Sequence, residues 1–386
     1  MNIRLAAYLG FVGILFTGCT DNSYVGWVED WYEFSSQIAV QVALGNPDAG
    51  IFSKSGTGEM ESLNDFADKN IRVFAFNSDP QTDYSSRGDY LSCLIFGREA
   101  WLDGQISYAR WKNDKGDNDV IYYPNGAHGY TSYDFFACYL DDLQPVTENA
   151  GAHRVSYEVD IDGSRDLMTS IARHPESAVP ADSTATPRQD YCFSYYTAQR
   201  GIIPIFRMRH NLVRIDFEVK SGYTPEGTHC VRIDSLKLSS FTRGTMTVAA
   251  KDSSQLGIVF DETRSRSLLP LRNRKGDRFK PDSLYTLEMG APAQGRLLDG
   301  CMFIAPDTSC DLHLYLSEAA VENGAAQHTM RVITYPGGFL PGNRYKVSLE
   351  IFGATRIGVG VELIPWTDGG GFVWDPDPDP RFRHTT

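Results

Sequence analysis

The chain has little that would let it span a membrane, grip a polyanion or run a reaction. Its one continuous apolar run, residues 5 to 17, falls well short of the about 20 residues that a membrane-spanning helix needs, which excludes an integral helical membrane protein. Basic residues are in deficit: 36 Lys and Arg against 49 Asp and Glu leave a formal charge of −13. Nucleic-acid affinity comes largely from cations that neutralise phosphates, so no nucleic-acid partner is expected. The sequence lacks G-x-S-x-G, H-E-x-x-H, G-x-x-x-x-G-K-[ST] and G-x-G-x-x-G, and its histidines are scattered singly. No C-x-x-C occurs, and the spacing of structural zinc sites is missing. An enzyme, a metal centre and a cofactor are therefore not expected. Helical patterns are scarce. Only Leu63 to Asp68 and Ser164 to Arg173 read as short helices, the second behind a serine and an aspartate suited to an N-terminal cap. No internal repeat is visible.

What is present favours strands. Glycine (35), proline (19) and aromatics (12%) suit many short strands joined by tight turns, an all-β fold. Ser36 to Leu44 sets Ile38, Val40, Val42 and Leu44 on one face against Gln37, Ala39, Gln41 and Ala43, the period-two mark of a half-buried strand. Residues 45 to 58 follow as a Gly, Pro, Asp and Ser-rich loop, and Ile71 to Phe76 resumes as a strand. Asn211 to Lys220 alternates Val213, Ile215, Phe217 and Val219 with polar residues. Val231 to Leu238, Thr245 to Ala249, Tyr285 to Met289, Leu312 to Leu316, Tyr345 to Ile351 and Ile357 to Leu363 read likewise. Strands at such short, irregular spacing indicate an antiparallel sandwich rather than an alternating α/β fold. Polar, breaker-rich loops are expected at 113–119, 124–129 and 175–187, the last a candidate domain boundary. The DPDPDP run from Asp375 to Pro380 reads as an exposed arm, because each proline removes a backbone donor.

Export is written at the N-terminus. A positive start (Met1 to Arg4), an apolar core and the small residues Thr17 and Gly18 before Cys19 read as a signal peptide over residues 1–18. Cysteine at that place resembles the bacterial lipobox, whose thiol is acylated, and buried methylenes would then hold an otherwise soluble chain at a membrane. Cys93, Cys138, Cys192, Cys230, Cys301 and Cys310 remain, and disulfides among them are permitted in any of several pairings. Cys301 and Cys310 are near enough to staple a turn, with buried free thiols as the alternative. His210, amid Arg207, Arg209 and Arg214, reads as structural. Asp160, Asp162 and Asp166 lack the calcium-loop spacing and its distal glutamate. Tyr24, Trp27, Trp31 and Tyr32 suit packing of the N-terminal tether.

Several segments together resemble the fimbrillin family of Bacteroidales, the subunits and accessory proteins of type V pili. The carrying residues are Ile71 to Phe76, Tyr133 to Tyr139 (YDFFACY), Asp166-Leu167-Met168, Met208 to Ile215 (MRHNLVRI), Phe303 to Pro306 (FIAP), Leu340 to Tyr345 (LPGNRY), Ile364-Pro365-Trp366 and the lipobox. The resemblance implies two transthyretin-like antiparallel β-sandwich domains in tandem, at 19–200 and 201–366, with an exposed arm at 367–386. It implies a non-catalytic structural or adhesive surface lipoprotein, assembled by β-strand complementation with other pilus subunits and held in outer-membrane lipid through Cys19. A host protein or glycan would be a further partner. The removable first strand would carry Ile38, Val40, Val42 and Leu44 at a sheet edge. The donor would be Val359, Val361 and Leu363, or Phe372 and Val373 farther on. Family stalk subunits are cut after an arginine in the first loop. Here no arginine lies between Cys19 and Arg72, and Lys54 is the basic residue on offer, which points to an accessory role as anchor or tip. The alternative is a glycan-binding lipoprotein that presents Tyr122, Tyr123, Tyr130 and Tyr133 on loops.

Overall fold

The computed structural model describes residues 37–44, 69–103, 106–112, 119–172, 193–222, 230–272, 286–288, 295–318 and 326–364. These residues form four sheets, paired into two sandwiches. The first sandwich is organised around Asn70–Asn77. Val73 and Ala75 on one face and Phe74 and Phe76 on the other all enter hydrophobic cores. A strand buried on both faces has no polar side to display, which is why Val73 to Phe76 (VFAF) runs apolar without alternating. It pairs antiparallel with Cys93–Asp103 and with Tyr133–Tyr139. Beyond the latter come Met168–Ile171 and Arg209–His210; beyond the former come Ile106–Trp111, Ala43–Leu44 and, at the edge, Ile205–Phe206.

A second sheet, ordered Gly257–Phe260, Arg243–Ala250, Arg154–Asp160 and Thr147–Gly151, completes this sandwich. Val155, Tyr157, Val159, Met246 and Val248 pack in one cluster with Phe74, Phe76 and Phe136. Two of its strands come from beyond residue 240, and Ile205–Phe206 and Arg209–His210 belong to the first sheet. The expected division after residue 200 therefore does not separate the sheets. Long-range pairing outweighs chain order here: Arg243–Ala250 meets Arg154–Asp160 in a seven-pair register, Arg243 opposite Asp160.

The second sandwich stacks Arg296–Ile304, Val213–Ser221, Arg344–Ile351 and Ile357–Ile364 on Ser267–Pro270, Cys230–Ser240, Asp307–Glu318 and Gln327–Phe339. Val213, Ile215, Phe217, Val347, Leu349, Leu312, Leu314 and Leu316 fill its core, as their alternation requires. Cys301, Phe303 and Leu212 face the other way, into the core of the first sandwich. Pairing is antiparallel except for Val213–Ser221 with Arg344–Ile351 and Ala43–Leu44 with Ile205–Phe206, which are parallel.

The LPGNRY segment is a turn with a lock. Leu340 carbonyl accepts from the Asn343 N–H at 3.2 Å, and Gly342 sits at φ +71°, as position i+2 of a type II turn demands after Pro341. The buried Tyr345 hydroxyl donates to the Gly338 carbonyl at 3.1 Å and accepts from the Leu340 N–H at 3.0 Å. Tyr345→Phe is expected to lower stability by about 1–2 kcal/mol, because the buried Gly338 carbonyl loses its donor and the part-buried Leu340 N–H its acceptor. Urea unfolding measures this, and an unchanged midpoint would contradict the lock.

Ser164 to Arg173 is not a helix: Met168–Ile171 is a strand between Tyr133–Tyr139 and Arg209–His210. The cap signal belongs to a turn in which Asp162 Oδ1 accepts from the N–H and the hydroxyl of Ser164, at 3.0 and 2.6 Å. The α-helix of the described residues is Tyr195–Gln199, closed by a capping box between Ser194 and Thr197. Leu63 to Asp68 lies outside the described residues.

The Cys301–Cys310 staple does not form, because Cys301 joins the core of the first sandwich and Cys310, a free thiol, that of the second. Burial pushes the thiols of Cys93, Cys138 and Cys310 up to about 11, 12 and 12. Thiolate is the reactive form. Under alkylation at pH 8, these three are expected to stay unmodified until the protein unfolds, while half-buried Cys230 reacts ahead of them. Peptide mass mapping reads the order, and early modification of Cys138 would contradict the packing.

Candidate functional site: a strand seat and an open strand edge

The segment from Ile38 to Leu44 is inlaid in the first sandwich. Val40, Val42 and Leu44 are buried, at 1%, 0% and 1% exposure. They pack with Val73, Ala75, Phe135, Ala137 and Phe206, with Ile38 partly buried alongside. Backbone bonds run along both sides. Val40 N–H donates to Ile121 carbonyl at 2.7 Å, Tyr123 N–H to Ile38 carbonyl at 3.0 Å and Ala109 N–H to Val42 carbonyl at 3.0 Å. On the other side, Ala43 N–H donates to Pro204 carbonyl at 2.9 Å.

The Trp111 indole N–H adds a bond of 2.7 Å to the Val40 carbonyl. The strand is thus not at a sheet edge, as expected, but one place in from it. Ile205–Phe206 forms the edge because its parallel pairing takes the outward side of Ala43 and Leu44. Regular pairing is limited to Ala43–Leu44 and a bridge between Ala39 and Tyr122. The alternation marks the right side chains but says nothing about Trp111, Tyr123 or Phe206. Their signal is only that each is a large aromatic next to a short strand.

In the second sandwich, Ile357–Ile364 pairs along its whole length with Arg344–Ile351, Ile357 opposite Ile351 and Ile364 opposite Arg344. Among the described residues it is the last strand of its sheet. Val359 and Val361 pack partly on the second core, while Leu363 is 47% exposed. Cys19, Lys54, Phe372, Val373 and the aromatics Tyr24, Trp27, Trp31 and Tyr32 lie outside the described residues.

The four-tyrosine surface does not exist as expected. Tyr122 and Tyr130 are exposed, but Tyr123 and Tyr133 are buried at 3% and 1%, because both fill the core beneath residues 38–44.

Between the sandwiches lies a buried polar node. His210 Nδ1 is 2.7 Å from Asp166 Oδ2, so the histidine does have a carboxylate partner. Tyr139 hydroxyl donates to Asp141 Oδ1 at 2.7 Å, and Asp166 N–H to Asp141 Oδ2 at 3.2 Å. Burial holds both carboxyls above the usual range. A raised carboxyl pKa means the folded state keeps its proton longer, so the node's contribution declines as pH rises through the raised value. Arg214, 2% exposed, reaches Asp216 at 3.2 Å, and Arg344 bonds the same carboxylate. Asp160 and Asp162 instead pair with Arg243 and Arg272 at 3.9 and 3.8 Å.

No known family profile and no curated protein matches the chain. Solved structures do. A candidate cell adhesion protein from Bacteroides ovatus is 11% identical, with 87% of this chain and 100% of that one covered at a TM-score of 0.47. The fimbrial anchor protein Mfa2 from Porphyromonas gingivalis is 12% identical, with coverage of 86% and 99% and a TM-score of 0.30. The fimbrilin FimA of the same organism is 9% identical, with coverage of 87% and 98% and a TM-score of 0.36.

Proposed function

We propose that this chain is a non-catalytic, fimbrillin-like surface lipoprotein, an accessory subunit that closes one end of a type V pilus and joins its neighbour by a donated strand. The observation that carries the reading is the seat of residues 38–44: a short, apolar strand, bonded on both sides, whose removal would open a groove of strand width. Cys19 holds the chain in the outer membrane by its lipid. The absence of arginine between Cys19 and Arg72 favours retention of the first strand over its removal, which leaves the groove filled and makes the subunit terminal. Lys54 is the site at which a less specific protease would cut. Val359 and Val361 are already used in their own core, so the donor on this reading is the segment with Phe372 and Val373.

A chain ending at Ile364 tests the donor. It is expected to unfold at the same urea concentration as the full chain yet no longer to co-purify with fimbriae from the envelope. Undiminished incorporation of the shortened chain would overturn the reading.

A further inference from the structure

The outer face of the second sandwich carries a histidine pair that the assembly reading does not use. His313 lies on Asp307–Glu318 and His328 on the neighbouring Gln327–Phe339. Their rings lie nearly parallel at 12°, and His313 Nδ1 is 3.0 Å from His328 Nε2. Tyr315, directly across from His328 in the register, stacks on it at 4.7 Å and holds its ring in place. The sulfur-bearing Met330 stands across from His313 on the same face and is 50% exposed.

In two neutral imidazoles one facing nitrogen carries its ring's proton; when that ring takes its other tautomer, the proton passing through water to its far nitrogen, both facing nitrogens present lone pairs that one metal ion can share. Two nitrogens each about 2.0–2.1 Å from one ion stand about 2.9–3.3 Å apart at square-planar to tetrahedral angles, the separation seen here. We propose that His313 and His328 form a surface chelate for a divalent transition-metal ion, Cu2+ ahead of Zn2+. The ranking follows the general affinity order of imidazole sites.

The surroundings agree. Asp311 on the same strand offsets Lys237, which faces His313 from Cys230–Ser240 and lies over the Tyr315 ring at 5.1 Å. The open outer side leaves room for water or the Met330 thioether to complete the coordination.

The test uses the full chain with Cu2+ alone. Calorimetry and electron paramagnetic resonance with one equivalent are expected to show one strong site with two-nitrogen coupling at pH 7.5, lost as the pH falls below about 6 where imidazoles protonate. His313→Asn and His328→Gln are each expected to weaken that site on the order of tenfold or more, and the double variant to remove it. Circular dichroism and urea midpoints check folding, and His328→Gln, at an exposed position, carries the test if His313→Asn does not fold. Unchanged affinity and spectrum in His328→Gln would overturn the proposal and assign the copper to the other histidines.

Discussion

A chain that begins at Gly45 is expected to lose the cooperative folding of its first sandwich or to associate through it. Val40, Val42 and Leu44 are essentially fully buried. Each such side chain contributes about 1.5–3 kcal/mol, and the three together approach the about 5–15 kcal/mol that holds a whole domain. Their loss also strips partners from Ile121, Tyr123, Ala109, Pro204 and the Trp111 indole. Size exclusion and urea unfolding of the shortened chain measure the effect. A synthetic peptide of residues 37–44 added in excess is expected to restore the monomer by mass action. A shortened chain that is monomeric with an unchanged midpoint would show that the strand is an ornament of the sheet rather than part of its core.

Asp216→Ala is expected to cost about 3–5 kcal/mol, because it deprives a buried Arg214 and the neighbouring Arg344 of the carboxylate they share. The core around the pair gives little room for water to compensate. Replacing Arg214, Asp216 and Arg344 together by Met, Leu and Met is expected to recover most of that loss, since the desolvation of all three charges disappears with them. Denaturant unfolding of the two variants separates the outcomes: equal losses in both would mean that the residues matter for their shape rather than their charge.

Much of the fold is legible because alternation is a local property. Val213, Ile215, Phe217 and Val219 announce the inner face of their strand, and 213–221, 230–240, 243–250, 344–351 and 357–364 are strands where the pattern places them. Val155, Tyr157 and Val159 carry the same mark in Arg154–Asp160. Cys93–Asp103 is harder, since Gly97 at φ +60° lies where its register to Asn70–Asn77 shifts and the alternation breaks.

What no local pattern reveals is which strands meet. The pairing of Arg243–Ala250 with Arg154–Asp160, and the placing of Ile205–Phe206 outside Ala43–Leu44, depend on contacts far apart in the chain. The candidate site divides the same way. Ile38, Val40, Val42 and Leu44 are readable from their period, while Trp111 is found only when the chain brings its indole to the Val40 carbonyl. His210 reads as structural from its neighbours, but the partner that makes it so, Asp166, is 44 residues away.

The central claim is that the first strand stays in its seat and the subunit stays on its lipid. Intact mass and N-terminal sequencing of protein recovered from its native envelope test it most directly. The account predicts an acylated Cys19 start with residues 38–44 present. A start just after Lys54, without lipid, would contradict it and make this chain a subunit whose groove is opened for a neighbour's strand.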